Sequence, residues 1–406
     1  MRAKGAQKNS SSVFSVLSVV QFLLLHASTP PVPFSFGDRT MTSCPLCRAD
    51  HIGSLMRPKA LRDAHKMHAA GRMSDADFSR AQDEAIRAAV TMQEEAGLGA
   101  VTDGEFRRRS WFAGFVDAVE GLTHRDTAFN FMEEGEAAIS VPVPHAEAPI
   151  RRTKGICTHE LAFAQKVAKA PVKITMPAPS VMHFFRGPDG IDRAVYPDEE
   201  EFWADLVAVY RAEIAALGRM GLKYLQLDDV PPALLCDARI QQRVAQWGWD
   251  WKTLLDRYIW ANNEILRGRP AGMIVGVHLC RGNFRGHWIG SGGYEPVAEK
   301  LFGGVDADLF LLEYDSERAG DFRPLRHLPR EKCVVLGLVS SKTAALESVA
   351  ELKRRIDDAA KFVAPERLAL SPQCGFGTTV GGAPMGEEDQ RRKLELVGRV
   401  ARDVWG

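Results

Sequence analysis

Short apolar, β-branched runs alternate with longer stretches of helical period through most of this chain, and that rhythm narrows the possible folds more than any other feature. The runs fall at residues 49–52, 99–102, 172–176, 224–227, 274–279, 309–313, 334–339 and 368–370. Between them the spacing predicts helices, clearest at 74–96, 199–220, 250–266, 346–362 and 387–404. Ser74 with Asp77 three residues on forms a capping-box pattern, and Gly97 and Gly221 close the first two helices. Strand–helix alternation implies a parallel sheet. Eight such units favour a closed (β/α)8 barrel over an open doubly wound sheet. No Gly-x-Gly-x-x-Gly follows the first strand, which counts against a dinucleotide site. Residues 109–169 break the rhythm as an insertion between the second and third strands, and the alternating stretch 138–145 suggests a hairpin arm. No linker composition marks a second domain, so 41–406 reads as a single barrel.

The amino terminus stands apart. Residues 1–12 are basic and serine-rich, an apolar run covers 13–25, and His26-Ala27-Ser28 follow, the layout of a secretory leader. The run is too short to span a bilayer. Residues 1–40 therefore read as lying outside the working protein, with Met41 as an alternative start. The 52 basic and 52 acidic side chains balance, which gives no support to a nucleic-acid or membrane partner. Seven cysteines, few, odd in number and scattered, predict no disulfide framework and suit a cytoplasmic setting. A homo-oligomer stays open.

Nearly every strand ends in side chains able to do chemistry. A parallel barrel sets all strand carboxyl ends on one face, so these residues converge although they are distant in sequence. His278 and Cys280 are two apart on one strand and share a side of it. Glu313 ends the next strand, and Cys374 lies just past the last. Thiolates with imidazole suit Zn2+ over magnesium or calcium. A lone buried cysteine or histidine is ordinarily core material; it is the four together that point to a metal. Cys44-x-x-Cys47 is a competing pair but lacks a second pair at zinc-ribbon spacing, and Cys157, Cys236 and Cys333 read as structural.

The strand-end motifs resemble the catalytic barrel of cobalamin-independent methionine synthase, in particular its short single-barrel relatives of the uroporphyrinogen decarboxylase/methionine synthase-like fold. The resemblance rests on His51-Ile52-Gly53-Ser54, Thr102-Asp103-Gly104-Glu105, Gln226-Leu227-Asp228-Asp229, His278-Leu279-Cys280-Arg281-Gly282-Asn283, Glu313-Tyr314-Asp315 and Leu370 through Gly377. It implies that His278, Cys280, Glu313 and Cys374 hold zinc. It further implies that Ile52, Gly53 and Ser54 hold a homocysteine carboxylate, and that Glu105 and Asp228 take its ammonium group. A zwitterionic thiol needs such partners, and zinc deprotonates a coordinating thiol. Glu313 is then the ligand that yields to the substrate sulfur. The activity implied is zinc-dependent S-methyl transfer to homocysteine, like that of 5-methyltetrahydropteroyltriglutamate–homocysteine S-methyltransferase.

The sequence departs from that pattern on the methyl-donor side. A proton-donating histidine after the seventh strand is replaced by Ser340 or Ser341, and a serine is a poor general acid near neutrality. Lys342 or His183 could supply the proton instead. An acid expected after the fourth strand falls in Pro232-Ala233-Leu234. The donor, folate or another, is therefore open. Asp228 reads as catalytic and substrate-binding, while Asp229 is undecided. Arg107-Arg108-Arg109 reads as a solvated basic run, and Trp111, Phe112 and Phe115 either cover the barrel mouth or pack beneath the insertion. Two other readings remain: thiol addition of the epoxyalkane:coenzyme M type, and a non-catalytic zinc- or thiol-binding barrel. Retained Glu105 and Asp228 favour an amino-acid thiol over a sulfonate thiol, which has no ammonium group.

Overall fold

Six of the eight expected strands run side by side in one parallel sheet of the computed structural model, which describes residues 44, 46, 48–126, 132, 133, 136, 137, 141–284, 286–381 and 384–406. The order is sequential: β5 (Lys173–Pro177), β6 (Tyr224–Asp228), β7 (Ile274–Leu279), β8 (Leu309–Glu313), β9 (Cys333–Val339) and β10 (Leu368–Pro372). Five of the six are buried at every residue, so side chains on both faces of the sheet are shielded from water. That burial explains why they read as continuous apolar runs. The bounds of β7 and β8 coincide with those expected.

The first two expected strands shrink to single bridges, Ala49 to Leu370 in β10 and Val101 to Val172 beside β5. Backbone bonds still run across both seams: Asp50 N donates to Leu370 O (2.9 Å), Gly99 N to Ala49 O (2.9 Å) and Lys173 N to Val101 O (2.8 Å). The ladder stops there because side chains take the next N–H groups. His51 N donates to Asp50 Oδ1, Gly53 N to His51 Nδ1, Thr102 N to Gln93 Oε1 and Glu105 N to Asp103 Oδ1. Short polar side chains that bond nearby backbone compete with regular structure in this way.

An ion pair sits under these seams. Lys173 and Asp50 are both fully buried, with Nζ 2.7 Å from Oδ1. Gln226 Oε1 (3.0 Å) and His51 O accept the other ammonium protons, and Tyr224 donates its hydroxyl to Asp50 Oδ2 at 2.8 Å. The pair binds the first segment to β5 and β6.

The helices begin where the caps predict. Ser74 accepts from Asp77 N at the start of Asp75–Glu95, Asp198 from Glu200 N before Glu199–Arg219, and Asp250 from Thr253 N before Trp251–Leu266. The helix expected at 346–362 is shorter, Val349–Ala360, because Ser348 caps it. Among the described residues no helix is long and apolar enough to cross a membrane.

Between the second and third segments the chain forms an antiparallel pair, β1 (Glu120–Asp126) with β4 (Pro142–Arg151), and a two-residue pair, β2 (Met132–Glu133) with β3 (Glu136–Ala137). The expected hairpin stretch joins β4 only from Pro142; residues 138–140 lie outside the described residues. Tyr196 accepts a hydrogen bond from Ile150 N at 2.7 Å, which anchors the end of β4. Residues 1–40, read as a leader, also lie outside the described residues, as does Cys47.

One expectation is overturned. Cys333, at the start of β9, is joined to Cys44 by a disulfide across 289 residues of sequence. Their separation hides the pairing from any local pattern; only the fold brings the two together.

Candidate metal and thiol site

His278 is the penultimate residue of β7 and Cys280 follows its last, so both side chains leave the same side of the strand end. Cys374 follows β10 by one turn residue. One ligand atom of each residue lies within 4.8 Å of the other two, and all three residues are buried. His278 Nδ1 lies 3.1 Å from Leu311 O, which fixes the ring and leaves Nε2 buried without a hydrogen-bond partner. An orphaned ring nitrogen facing two sulfurs is a donor set waiting for a soft cation. The electrostatics agree. The hydrogen bond from Cys374 and the neighbouring imidazole hold the Cys280 thiol well below its ordinary range, despite burial. That same hydrogen bond, then burial, push Cys374 well above it.

Glu313, the fourth expected ligand, stands beside this cluster without belonging to it. Its Oε2 accepts from Arg281 N at 2.7 Å, and its Oε1 faces Lys342 Nζ at 3.1 Å and pairs with Arg318. Burial works to raise its pKa, but the charges of Lys342, Arg281 and Arg318 outweigh it and hold the carboxyl at about 2.

A cavity of about 240 Å³ opens above the cluster. His278, Cys280, Cys374, Ile52, Ser54, Glu105 and Asp228 all line it. Glu105 is held in a left-handed conformation, φ 60°, right after Gly104 at φ 70°. Asp103 accepts from its N–H (2.8 Å) and Arg57 donates to its carbonyl (2.8 Å), which keeps the strained backbone in place. Thr175 donates to Glu105 Oε1 at 2.7 Å, while Oε2 is buried with no partner. Asp228 ends β6 and accepts from Gln226 at 2.7 Å. Burial, reinforced by Glu105, raises its carboxyl to about 7. A buried carboxylate oxygen without a partner, Glu105 Oε2, asks for a cationic donor group.

Gly53 does not line the cavity but shapes it. Its φ is +122°, and a Cβ there would stand 2.5 Å from Thr175 Cγ2 and 3.0 Å from Glu105 Oε1. Gly53→Ala is therefore expected to cost about 1–3 kcal/mol of stability and to displace Glu105. Denaturant unfolding checks the first and thiol affinity the second; an alanine variant with unchanged midpoint would remove the strain argument.

The remaining expected residues lie elsewhere. His183 is not in the cavity wall: it lies 3.0 Å from both the Tyr258 hydroxyl and Glu199, and stacks on Trp249. Ser340 donates to Asp315 at 2.8 Å, and neither it nor Lys342 lines the cavity. Asp229 accepts from Asn262 at 2.7 Å and from Ser180, so it braces the wall. Arg108 is no solvated charge: it is buried against Glu160 at 2.6 Å, while Arg107 pairs with Asp83 and Arg109 with Asp117. Trp111 and Phe112 line the cavity, whereas Phe115 stacks on Tyr210 at 4.5 Å. Sequence reasoning missed Val141, Pro142, Phe284 and Ile289, apolar residues of the cavity lining, and Arg318, which pairs with Glu313. Only the fold brings the arm residues to the mouth.

Comparison with known proteins adds a family. Residues 48–387 match the family model described as the cobalamin-independent synthase catalytic domain. The chain is 37% identical over 362 residues to the uncharacterised protein YxjH of Bacillus subtilis (strain 168), covering 88% of this chain and 94% of that one. A methionine synthase of Sulfurisphaera tokodaii is 25% identical over 83% of this chain and 88% of its own length. Among solved structures, a candidate vitamin-B12-independent methionine synthase from Listeria monocytogenes superposes with a TM-score of 0.70 at 32% identity, over 88% of this chain and 98% of that one.

Proposed function

The chain belongs to the family of the cobalamin-independent synthase catalytic domain, and from that premise we propose that it is a zinc-dependent S-methyltransferase acting on homocysteine. One observation carries the reading: an orphaned imidazole nitrogen and two sulfurs meet at the floor of a cavity whose wall holds two buried acids. His278, Cys280 and Cys374 would hold the ion, with Glu313 adjacent. Bound zinc supplies the Lewis-acid charge that keeps a thiol deprotonated at neutral pH.

The chain's own residues do the rest. Glu105 Oε2 and Asp228 take the ammonium group, and Ser54 offers its hydroxyl to the carboxylate. Those contacts aim the sulfur at the cluster. Trp111, Phe112, Phe185 and Ile289 exclude water on the donor side. The bridges at Ala49 and Val101 complete, in this reading, a closed eight-stranded barrel that brings Ser54 and Glu105 round to β7 and β10. The free thiols suit a cytoplasmic setting, and the Cys44–Cys333 bond is the feature that points the other way. Two buried acids also count against thiol addition of the coenzyme M type, because a sulfonate thiol brings no cation.

The test is turnover of zinc-loaded protein with homocysteine and a panel of methyl donors, read as methionine by mass spectrometry. Asp228→Asn is expected to raise the KM for homocysteine about tenfold or more, the scale of one charge-assisted contact. Binding of 3-mercaptopropionate, which lacks the ammonium group, should be indifferent to it. Thiol binding with no methionine from any donor would leave the non-catalytic barrel as the surviving reading.

A further inference from the structure

Glu105 keeps one carboxylate oxygen engaged and one bare. Thr175, in β5, donates its hydroxyl to Oε1 at 2.7 Å, while Oε2 is buried with no partner. A threonine hydroxyl carries a single proton, which is free to rotate to another acceptor. Here it is directed from behind. Arg108 Nη1 donates to Thr175 Oγ1 at 3.0 Å, and a guanidinium accepts nothing in return, so the Thr175 proton goes to Glu105. Arg108 is itself clamped. Its Nε and Nη2 donate to the two carboxylate oxygens of Glu160 at 2.8 and 2.6 Å, a bidentate pairing that fixes the plane of the fork. Nη2 also donates to Thr175 O at 2.8 Å, and Nη1 to Trp111 O at 3.3 Å. Every N–H of the fork thus has an acceptor within the protein. Glu160 stands in the first turn of the helix Thr158–Val167, which follows β4. Arg108, Thr175 and Glu160 are all buried, and none of them lines the cavity.

We propose that Arg108 and Thr175 are positioning residues for substrate selection: the clamped guanidinium orients the Thr175 hydroxyl, the hydroxyl occupies Glu105 Oε1, and Oε2 is left to take the ammonium group of an amino-acid thiol. The proposal rests on the reading above that Glu105 binds that ammonium group, and adds what aims it. Burial pushes the Glu105 carboxyl up, whereas the Arg108 charge, with Nη1 3.7 Å from Oε1, and the Thr175 hydrogen bond pull against it. The same relay therefore orients the carboxyl and favours its charged form. Arg108 and Thr175 act through Glu105 and touch no substrate.

The test is a double-mutant cycle on thiol affinity, measured by titration calorimetry with zinc-loaded protein. Two thiols are compared: homocysteine, and 4-mercaptobutyrate, the same chain without the amino group. Thr175→Val should weaken homocysteine about tenfold, the scale of one misdirected charge-assisted contact, and move 4-mercaptobutyrate by less than about twofold. Thr175→Ser, which keeps the hydroxyl, should stay within about twofold of wild type for both. Arg108→Lys keeps the charge but loses the fork, and should show the same selective loss as Thr175→Val. In a Glu105→Gln background, Thr175→Val should have no further effect beyond about twofold. If Thr175→Val does not fold, Thr175→Ala takes its place. Equal weakening of both thiols would mean that the relay only supports the wall, and unchanged homocysteine affinity would mean that it aims nothing; either overturns the proposal. A Glu105→Gln protein that binds homocysteine as wild type removes the ammonium reading itself, whereas a loss there without coupling to Thr175 removes only the relay.

Discussion

Cys280→Ser is expected to strip the protein of its metal and lower turnover by at least about 10³-fold, the rate equivalent of several kcal/mol of charge stabilisation. Serine keeps the shape of the side chain but offers a hard hydroxyl that stays protonated, so only the soft donor is lost. Cys280 is the more acidic sulfur of the pair, its pKa held down by Cys374 and the His278 imidazole while that of Cys374 is pushed up. His278→Ala should behave alike by removing the orphaned Nε2. Cys157→Ser is the control: that thiol is also free and buried, but lies beside Arg108, outside the cluster. Zinc by elemental analysis, methionine by mass spectrometry and thermal melting separate loss of site from loss of fold. A Cys280→Ser protein that retains one equivalent of zinc and near-normal turnover places the metal elsewhere.

Lys173→Ala should be the most damaging change remote from the cluster. It leaves the fully buried Asp50 carboxyl with the Tyr224 hydroxyl and a backbone N–H as its remaining partners. Removing one member of a buried pair costs about 3–5 kcal/mol, against a total stability of about 5–15 kcal/mol for a typical domain. Removing both is cheaper, because no charge is stranded. Lys173→Met combined with Asp50→Asn should therefore recover more than half of the loss. Urea unfolding followed by tryptophan fluorescence measures both. A single variant within about 1 kcal/mol of wild type contradicts the account of this pair.

The strands that form the continuous sheet were legible because burial on both faces writes itself as an unbroken apolar run, as in β7 and β8. Residues 49–52 and 99–102 also read as strands, yet the N–H groups of His51, Gly53 and Thr102 go to Asp50, His51 and Gln93, partners that no periodicity encodes. At the site, strand-end chemistry found His278, Cys280, Cys374, Glu105 and Asp228, whose convergence follows from parallel strands alone. The cations that hold Glu313 come from turns outside the strand ends, so no strand-end pattern shows them. His183 and Arg108 were misread because a side chain's partners in other elements decide whether it faces a cavity or the core. The Cys44–Cys333 bond left no sequence signal.

The two seams have a bearing on how such a site can change over time. His278, Cys280 and Cys374 are anchored to strands in the uninterrupted part of the sheet, whereas Ser54 and Glu105 hang from segments released by side-chain bonding. On the proposed zinc–thiol reading, substitutions at Gln93 or Asp103, neither of which lines the cavity, can therefore retune which amino-acid thiol is admitted while the ion's donors stay fixed. Selectivity and reactivity occupy separable parts of one scaffold, so descendants of this chain are free to exchange their substrate without rebuilding their chemistry.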